Sequence, residues 1–268
     1  MIVIKAGGNG RVYLQSVCDD VADLVRQGEQ VVLVHGGSQD VDAVSEVMGK
    51  PAQYVTGTTG VVSRYTDRET MEIFAMVVAG RVNKLLVERL QAAGVDAFGL
   101  SGLDGRLLVG QRKATLRVVE GGKQKILHGD FSGKIERVRI ELLHTLLAAG
   151  LTPVVAPVAV STAGEMLNVD GDRAAAAIAS AMKAERLVIL SNVPGLLRQP
   201  TDESTLITHI PKAQAEVHLN RYAKGKMKKK LIGTLEALKG GVAQVVIADG
   251  RVSHPLLGAL AGHGTVIA

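Results

Sequence analysis

Residues 2–10 read Ile2-Val3-Ile4-Lys5-Ala6-Gly7-Gly8-Asn9-Gly10, a β-branched apolar run that stops at a lysine and passes straight into glycines. A second run, Val31-Val32-Leu33-Val34, ends in His35-Gly36-Gly37-Ser38. Short apolar runs without polar alternation mark strands buried on both faces, the condition of a parallel sheet held between helices. Working outward, strands are expected at 2–4, 31–34, 96–99, 152–155, 187–190 and 244–247. Apolar residues recur at helical spacing over 13–26, 67–92, 135–149, 172–182 and 229–238. This alternation predicts an α/β fold with a largely parallel sheet.

Residues 102–134 break the rhythm. Short alternating segments at 106–109 and 116–119 flank Gly121-Gly122 and predict antiparallel hairpins inserted at one edge. With no repeat and no low-complexity linker, any division into two lobes is tight, and it is placed near residue 160.

The 268 residues are 47% hydrophobic and 21% charged, a balance that predicts a globular protein and excludes a disordered one. The mean hydropathy of +0.21 comes without a run of about 18 apolar residues, so no membrane span is expected. The opening residues lack the pattern of a secretory signal, which points to a cytoplasmic protein. The single cysteine, Cys18, can form no internal disulfide and falls in the helical stretch 13–26, where packing is its expected role. Seven scattered histidines predict no metal site. A net charge of +5 favours an anionic partner, whether a nucleotide, an acidic protein or nucleic acid.

Glycines after a strand are either a tight turn or a place where backbone amides approach an anion. Known nucleotide motifs are excluded. The run Gly8-Asn9-Gly10-Arg11-Val12-Tyr13 puts Tyr13 where a dinucleotide fingerprint needs its third glycine, and the second strand ends in His35 instead of an acid. Each Gly-Lys pair is followed by Pro51, Gln124, Ile135 or Met227, so no P-loop exists, and neither H-R-D nor D-F-G occurs. Lys5 remains, either an edge charge or the partner of an anion, with phosphate the economical candidate.

Two further clusters carry charge. In Asn168-Val169-Asp170-Gly171-Asp172, either aspartate could cap the alanine-rich helix that follows, or the loop could face a ligand. Six of the ten residues 221–230 are basic, with Lys224, Lys226, Lys228, Lys229 and Lys230 clustered at the end. They form either a solvated face or a helix start that offsets cations against an anion such as the phosphates of ATP. Nucleic acid is the weaker rival, because aromatics are only 3% and tryptophan is absent, leaving few residues for base stacking.

Taken in order, eight segments resemble the amino acid kinase family, and within it the acetylglutamate kinase branch: Ile4-Lys5-Ala6-Gly7-Gly8-Asn9; Val34-His35-Gly36-Gly37; Arg64-Tyr65-Thr66 with Met71-Glu72; Gly80-Arg81-Val82-Asn83-Lys84; Asp130-Phe131-Ser132-Gly133-Lys134-Ile135; Leu167-Asn168-Val169-Asp170-Gly171-Asp172; Leu190-Ser191-Asn192-Val193-Pro194-Gly195-Leu196; and Gly225-Lys226-Met227-Lys228-Lys229-Lys230. The resemblance implies an open three-layer αβα sandwich with a mainly parallel central sheet, usually a homodimer, with an amino-acid lobe over residues 1–160 and an ATP lobe over 161–268. It implies ATP and Mg2+ as cofactors and phosphoryl transfer to a carboxylate, giving an acyl phosphate. By position, Lys5 and Lys230 would stabilise the transferring phosphoryl group and Asp172 would orient them. Arg64 and Asn168 would hold the substrate, with Gly36 and Gly37 beside it; Gly7, Gly8, Ser191, Asn192, Gly195 and Lys226 would border the nucleotide.

Three departures mark a subgroup. Ser38 and Lys226 stand where glycine is common, and Asn192 stands for a common aspartate. Residues 63–70 and the basic surplus look like the kinases of lysine or arginine synthesis that act on 2-aminoadipate or glutamate attached to an acidic amino-group carrier protein. A kinase of free acetylglutamate and a non-catalytic nucleotide-binding regulator are the alternatives.

Overall fold

The structure is a computed structural model that describes residues 1–7, 14–58, 60–113 and 115–268, with the side chains of Leu219 and Lys226 outside that description. In chain order the strands are β1 (Ile2–Ala6), β2 (Val31–His35), β3 (Tyr54–Thr56), β4 (Val62–Arg64), β5 (Ala97–Ser101), β6 (Leu108–Arg112), β7 (Thr115–Glu120), β8 (Lys123–His128), β9 (Gly133–Val138), β10 (Thr152–Ala156), β11 (Val158–Ser161), β12 (Met166–Asn168), β13 (Arg186–Ser191), β14 (His209–Ile210), β15 (Gln244–Asp249) and β16 (Thr265–Ile267). The α-helices are α1 (Leu14–Arg26), α2 (Ser38–Val47), α3 (Arg68–Ala75), α4 (Asn83–Ala92), α5 (Ile140–Ala148), α6 (Gly171–Ala181), α7 (Ala215–Tyr222), α8 (Gly225–Lys239) and α9 (Pro255–Leu260). A π-helical stretch, Met76–Val82, joins α3 to α4.

Eight strands form the main sheet in the order β14-β16-β15-β13-β1-β2-β10-β5, parallel throughout except for the β15/β16 pair. Successive side chains on a strand point to opposite faces. Val3, Val32, Val34, Leu187 and Ile189 therefore join one buried cluster with α5, α6 and α8, while Ile2, Ile4, Leu33 and Val188 join another with α1, α4 and α9. This is the expected αβα sandwich. The same alternation puts Lys5 on the Val3 face, toward α6 and α8.

Residues 2–156 supply β1, β2, β10 and β5, residues 186–267 supply β13 to β16, and the two sets meet at the parallel pair β1/β13. Gly7 and the Gly36-Gly37 turn consequently follow the carboxyl ends of central strands.

Three expectations need correction. The helix placed at 135–149 begins only at Ile140. Before it, half-buried Gly133 and Ile135 alternate with exposed Lys134 and Glu136, a period of two, and the segment pairs as β9 with β6. The hairpin β7/β8 forms across Gly121-Gly122 as expected, but it is a separate ribbon, and β6 and β9 build a small second sheet with β11 and β12 instead of extending the large one. The helix expected at 229–238 starts four residues earlier, at Gly225. The start of the helix expected at 13–26 lies at Tyr13, outside the described residues; the described helix begins at Leu14.

The first and last helices are tied by one carboxylate. Fully buried Asp20 of α1 accepts from the N–H groups of Leu256 and Leu257, at 2.8 and 3.2 Å, and contacts His254 Nδ1 at 2.9 Å. It thereby satisfies the otherwise orphaned donors at the start of α9. The hydrogen bond that the protonated His254 ring donates to Asp20 raises its pKa, so that pair stabilises the protein below pH about 6.5 and the gain is lost as pH rises through the raised value. Asp20→Ala should lower stability by about 1–3 kcal/mol, since it strands buried donors. Urea denaturation at pH 6 checks this; an unchanged midpoint would contradict the tie.

Candidate active site

At the centre of the molecule one carboxylate lies between two ammonium groups. Lys5 Nζ is 2.9 Å from Asp172 Oδ1, and Lys230 Nζ is 3.1 Å from Asp172 Oδ2. Lys5 and Asp172 are each 7% exposed. Lys5 arrives at the end of β1, Asp172 in the first turn of α6 and Lys230 from α8. The cap role left open for the two aspartates is divided between them: Asp170 accepts from the N–H groups of Asp172 and Arg173 at 3.0 and 3.1 Å, which frees Asp172 for the lysines.

The electrostatics follow from burial. Desolvation alone would raise the Asp172 pKa, but the positive charges of Lys230 and Lys5 overturn it and hold the carboxyl well below the usual range. For Lys230 desolvation prevails, helped by the like charge of Lys5, and its pKa is lowered despite Asp172. A Cβ at Gly7 would sit 1.8 Å from Lys5 Nζ, so any side chain there would have to push the ammonium away from Asp172.

A cavity of about 930 Å³ surrounds this centre. The structure brings Gly7, Gly36, Gly37, Arg64, Asn168, Ser191, Asn192 and Gly195 to its wall together with the two lysines and Asp172. Gly8 lies outside the described residues, as does the side chain of Lys226, whose backbone belongs to the first turn of α8. Asn168 donates to Thr66 Oγ1 at 2.9 Å. The N-terminus of α8 opens on the same cavity through Lys224 and Gly225, without a side-chain cap.

Sequence reasoning missed the surroundings of Arg64. Its guanidinium is gripped by Asp42 Oδ1 at 2.7 Å, the Ser38 carbonyl at 3.1 Å and the Tyr54 hydroxyl at 3.1 Å. Tyr54 in turn donates to Asp42 at 2.9 Å. Neither Asp42 nor Tyr54 belongs to a motif, and α2, which carries Asp42, was not expected.

A second cavity, of about 620 Å³, shares Ser63, Arg64, Asn168, Val169, Asp170 and Lys229 with the first. Lys113, Lys134 and Arg173 also line it. Arg173 pairs with Glu236, whereas Lys113, Lys134 and Lys229 have no ion-pair partner among the described residues. Desolvation and the charges of Arg173 and Lys229 lower the Lys113 pKa against the opposing charges of Asp130 and Asp170.

The amino acid kinase family model matches residues 1–249, and the chain belongs to that family. It is 50% identical over 267 residues to the [LysW]-aminoadipate kinase of Deinococcus radiodurans, covering 100% of this chain and 91% of that one. It is 48% identical to the [LysW]-aminoadipate kinase of Thermus thermophilus, with both chains covered completely. Among solved structures, the N-acetylglutamate synthase of Neisseria gonorrhoeae, complexed with coenzyme A and N-acetyl-glutamate, has the same fold, with a TM-score of 0.79 at 24% identity over 100% of this chain and 59% of that one.

Asp172→Asn removes the anion that keeps Lys230 charged beside Lys5. The Lys230 pKa should then drop below its wild-type value, as read by titrating 13C-methylated lysines by NMR; an equal or higher value would show that Asp172 does not set the charge of the site.

Proposed function

We propose that this chain transfers the γ-phosphoryl group of ATP to the side-chain carboxylate of 2-aminoadipate, or of glutamate, borne on an acidic amino-group carrier protein, as a cytoplasmic step of lysine synthesis. The observation that carries this is the Lys5–Asp172–Lys230 cluster, with cations from both halves of the chain on one wall of a large cavity. The names of the two relatives support the acceptor.

The chemistry needs no strong base, because the acceptor is already an anion. A carboxylate oxygen bonds to the γ-phosphorus, the bond from that phosphorus to the bridging oxygen breaks, and ADP leaves with the electron pair. The protein must bring two anions together and neutralise charge on the phosphoryl oxygens. Lys5 and Lys230 do that, Asp172 spaces them, and Arg64 and Asn168 hold the acceptor. The nucleotide lies along 161–268, with its phosphates over the uncapped start of α8 and its remainder along Ser191, Asn192 and Gly195; Gly7 approaches the phosphates from the other lobe.

Magnesium fits this donor set as a passenger of the nucleotide. No cluster of three or more His, Cys, Asp or Glu exists among the described residues, and Asp172 is already shared by two ammonium groups, so phosphate oxygens and water would hold the ion. When bound, it neutralises phosphate charge.

The carrier is recognised by the cations of the second cavity, which adjoins the acceptor residues Arg64 and Asn168. Exposed Phe98 on the edge strand β5 and exposed Leu85 on α4, which packs on that strand, support a homodimer. No helix among the described residues is long and apolar enough to cross a membrane.

Coupled ADP-release assays with carrier-linked aminoadipate and with free acetylglutamate test the acceptor: the linked substrate should be preferred, and turnover of free acetylglutamate alone would refute it. Lys230→Ala should lower kcat at least about a hundredfold, the scale of losing one transition-state charge contact; wild-type turnover would remove Lys230 from the mechanism. The double variant Lys113→Glu with Lys134→Glu should raise the KM of the linked substrate about tenfold, mostly at low salt, with kcat unchanged. An unaltered KM would place carrier recognition elsewhere.

A further inference from the structure

The motif Gly80-Arg81-Val82-Asn83-Lys84 does not line the reaction cavity, yet its asparagine is fully buried where the π-helical stretch hands over to α4. Asn83 Nδ2 lies 2.9 Å from the Val154 carbonyl and 3.0 Å from His35 Nε2. A carbonyl only accepts, so the amide nitrogen must face Val154, and its other hydrogen requires His35 Nε2 to be an acceptor. The proton of the neutral ring is then on Nδ1, which donates to the Gly36 carbonyl at 2.8 Å. Burial lowers the His35 pKa to about 4, in keeping with a neutral ring. The Asn83 oxygen is left buried without a partner. It is lodged against Gly99 of β5, where a Cβ would come within 2.2 Å of it.

This relay has a geometric consequence. A trans peptide points its N–H opposite its C=O. With the Gly36 carbonyl held by His35, the Gly37 N–H is turned the other way, and it has no acceptor among the described residues. Both glycines line the reaction cavity, and without side chains this peptide would otherwise flip at little cost. Val78 and Val82 of the π-helical stretch back the turn, within 3.3 and 3.2 Å of where a Gly37 Cβ would stand.

We infer that Asn83 and His35 are positioning residues that lock the Gly36–Gly37 peptide, so that the Gly37 N–H is presented to the transferring phosphoryl group. The inference rests on the phosphoryl-transfer reading above.

The test compares wild type with His35→Leu, His35→Asn and Gly99→Ala, using kinetics with ATP and the carrier-linked substrate, and 15N NMR of the His35 ring in the ligand-free protein. Wild type should show the Nδ1–H tautomer. His35→Leu should lower kcat about tenfold to a hundredfold, a loss on the scale of one misplaced oxyanion donor, with both KM values within about twofold. His35→Asn, whose amide can donate to Gly36, should recover most of that kcat. Gly99→Ala, remote from the cavity, should displace Asn83, erode the Nδ1–H preference and lower kcat in the same direction. Equal losses in the Leu and Asn variants would reduce His35 to packing and overturn the lock, as would unchanged kcat in His35→Leu or an Nε2–H ring in wild type. A wild type with the Nδ1–H ring and no kinase activity would instead overturn the function on which the lock depends.

Discussion

Two lysine ammonium groups cannot be buried side by side without an anion between them, and the placement of Asp172 answers that constraint. Asp170 takes over the helix cap so that Asp172 is free. A side chain at Gly7 would meet Lys5 Nζ and push it off the carboxylate. The alanine-rich face of α6 lets α8 come close enough to deliver Lys230, and Gly233 of α8 lies against the backbone of Asp172, where a Cβ would meet it at 3.3 Å. Two ammonium groups share the one carboxylate in contact with them, a local excess of cations. An incoming phosphoryl group, more negative than any neutral ligand, relieves that excess, so binding and charge stabilisation draw on the same arrangement.

The cluster also has a pH signature. Asp172 stays ionised well below the usual carboxylate range, so its contribution to stability is present at neutral pH and is lost as pH falls through that lowered pKa.

The central strands could be read from the sequence because apolar runs mark β1, β2, β10, β13 and β15, whereas local pattern left Lys5, Asp172 and Lys230 with ordinary alternatives and only the resemblance of the ordered motifs joined them into one site. Segment 133–138 misled because Ile135 and Val138 also satisfy helical spacing with the apolar residues of α5, and only pairing with β6 decides for a strand. Helix α9, six residues long, and strand β16, three residues long, are too short to carry a period. The grip of Asp42 and Tyr54 on Arg64 and the relay from Asn83 to Gly36 join residues 10 to 48 positions apart, through contacts that no spacing rule encodes. Motif order located the walls of the cavity; tertiary packing decided what steadies them.

The central claim is that phosphate is placed on a carboxylate held beside Lys5 and Lys230. Hydroxylamine trapping during turnover of carrier-linked 2-aminoadipate with ATP and magnesium tests it most directly, with the product read by mass spectrometry. The account predicts a hydroxamate at the aminoadipate side chain, formed in proportion to ADP and abolished in Lys5→Ala. ADP released without hydroxamate, or phosphate found on any other atom of the substrate, would contradict it.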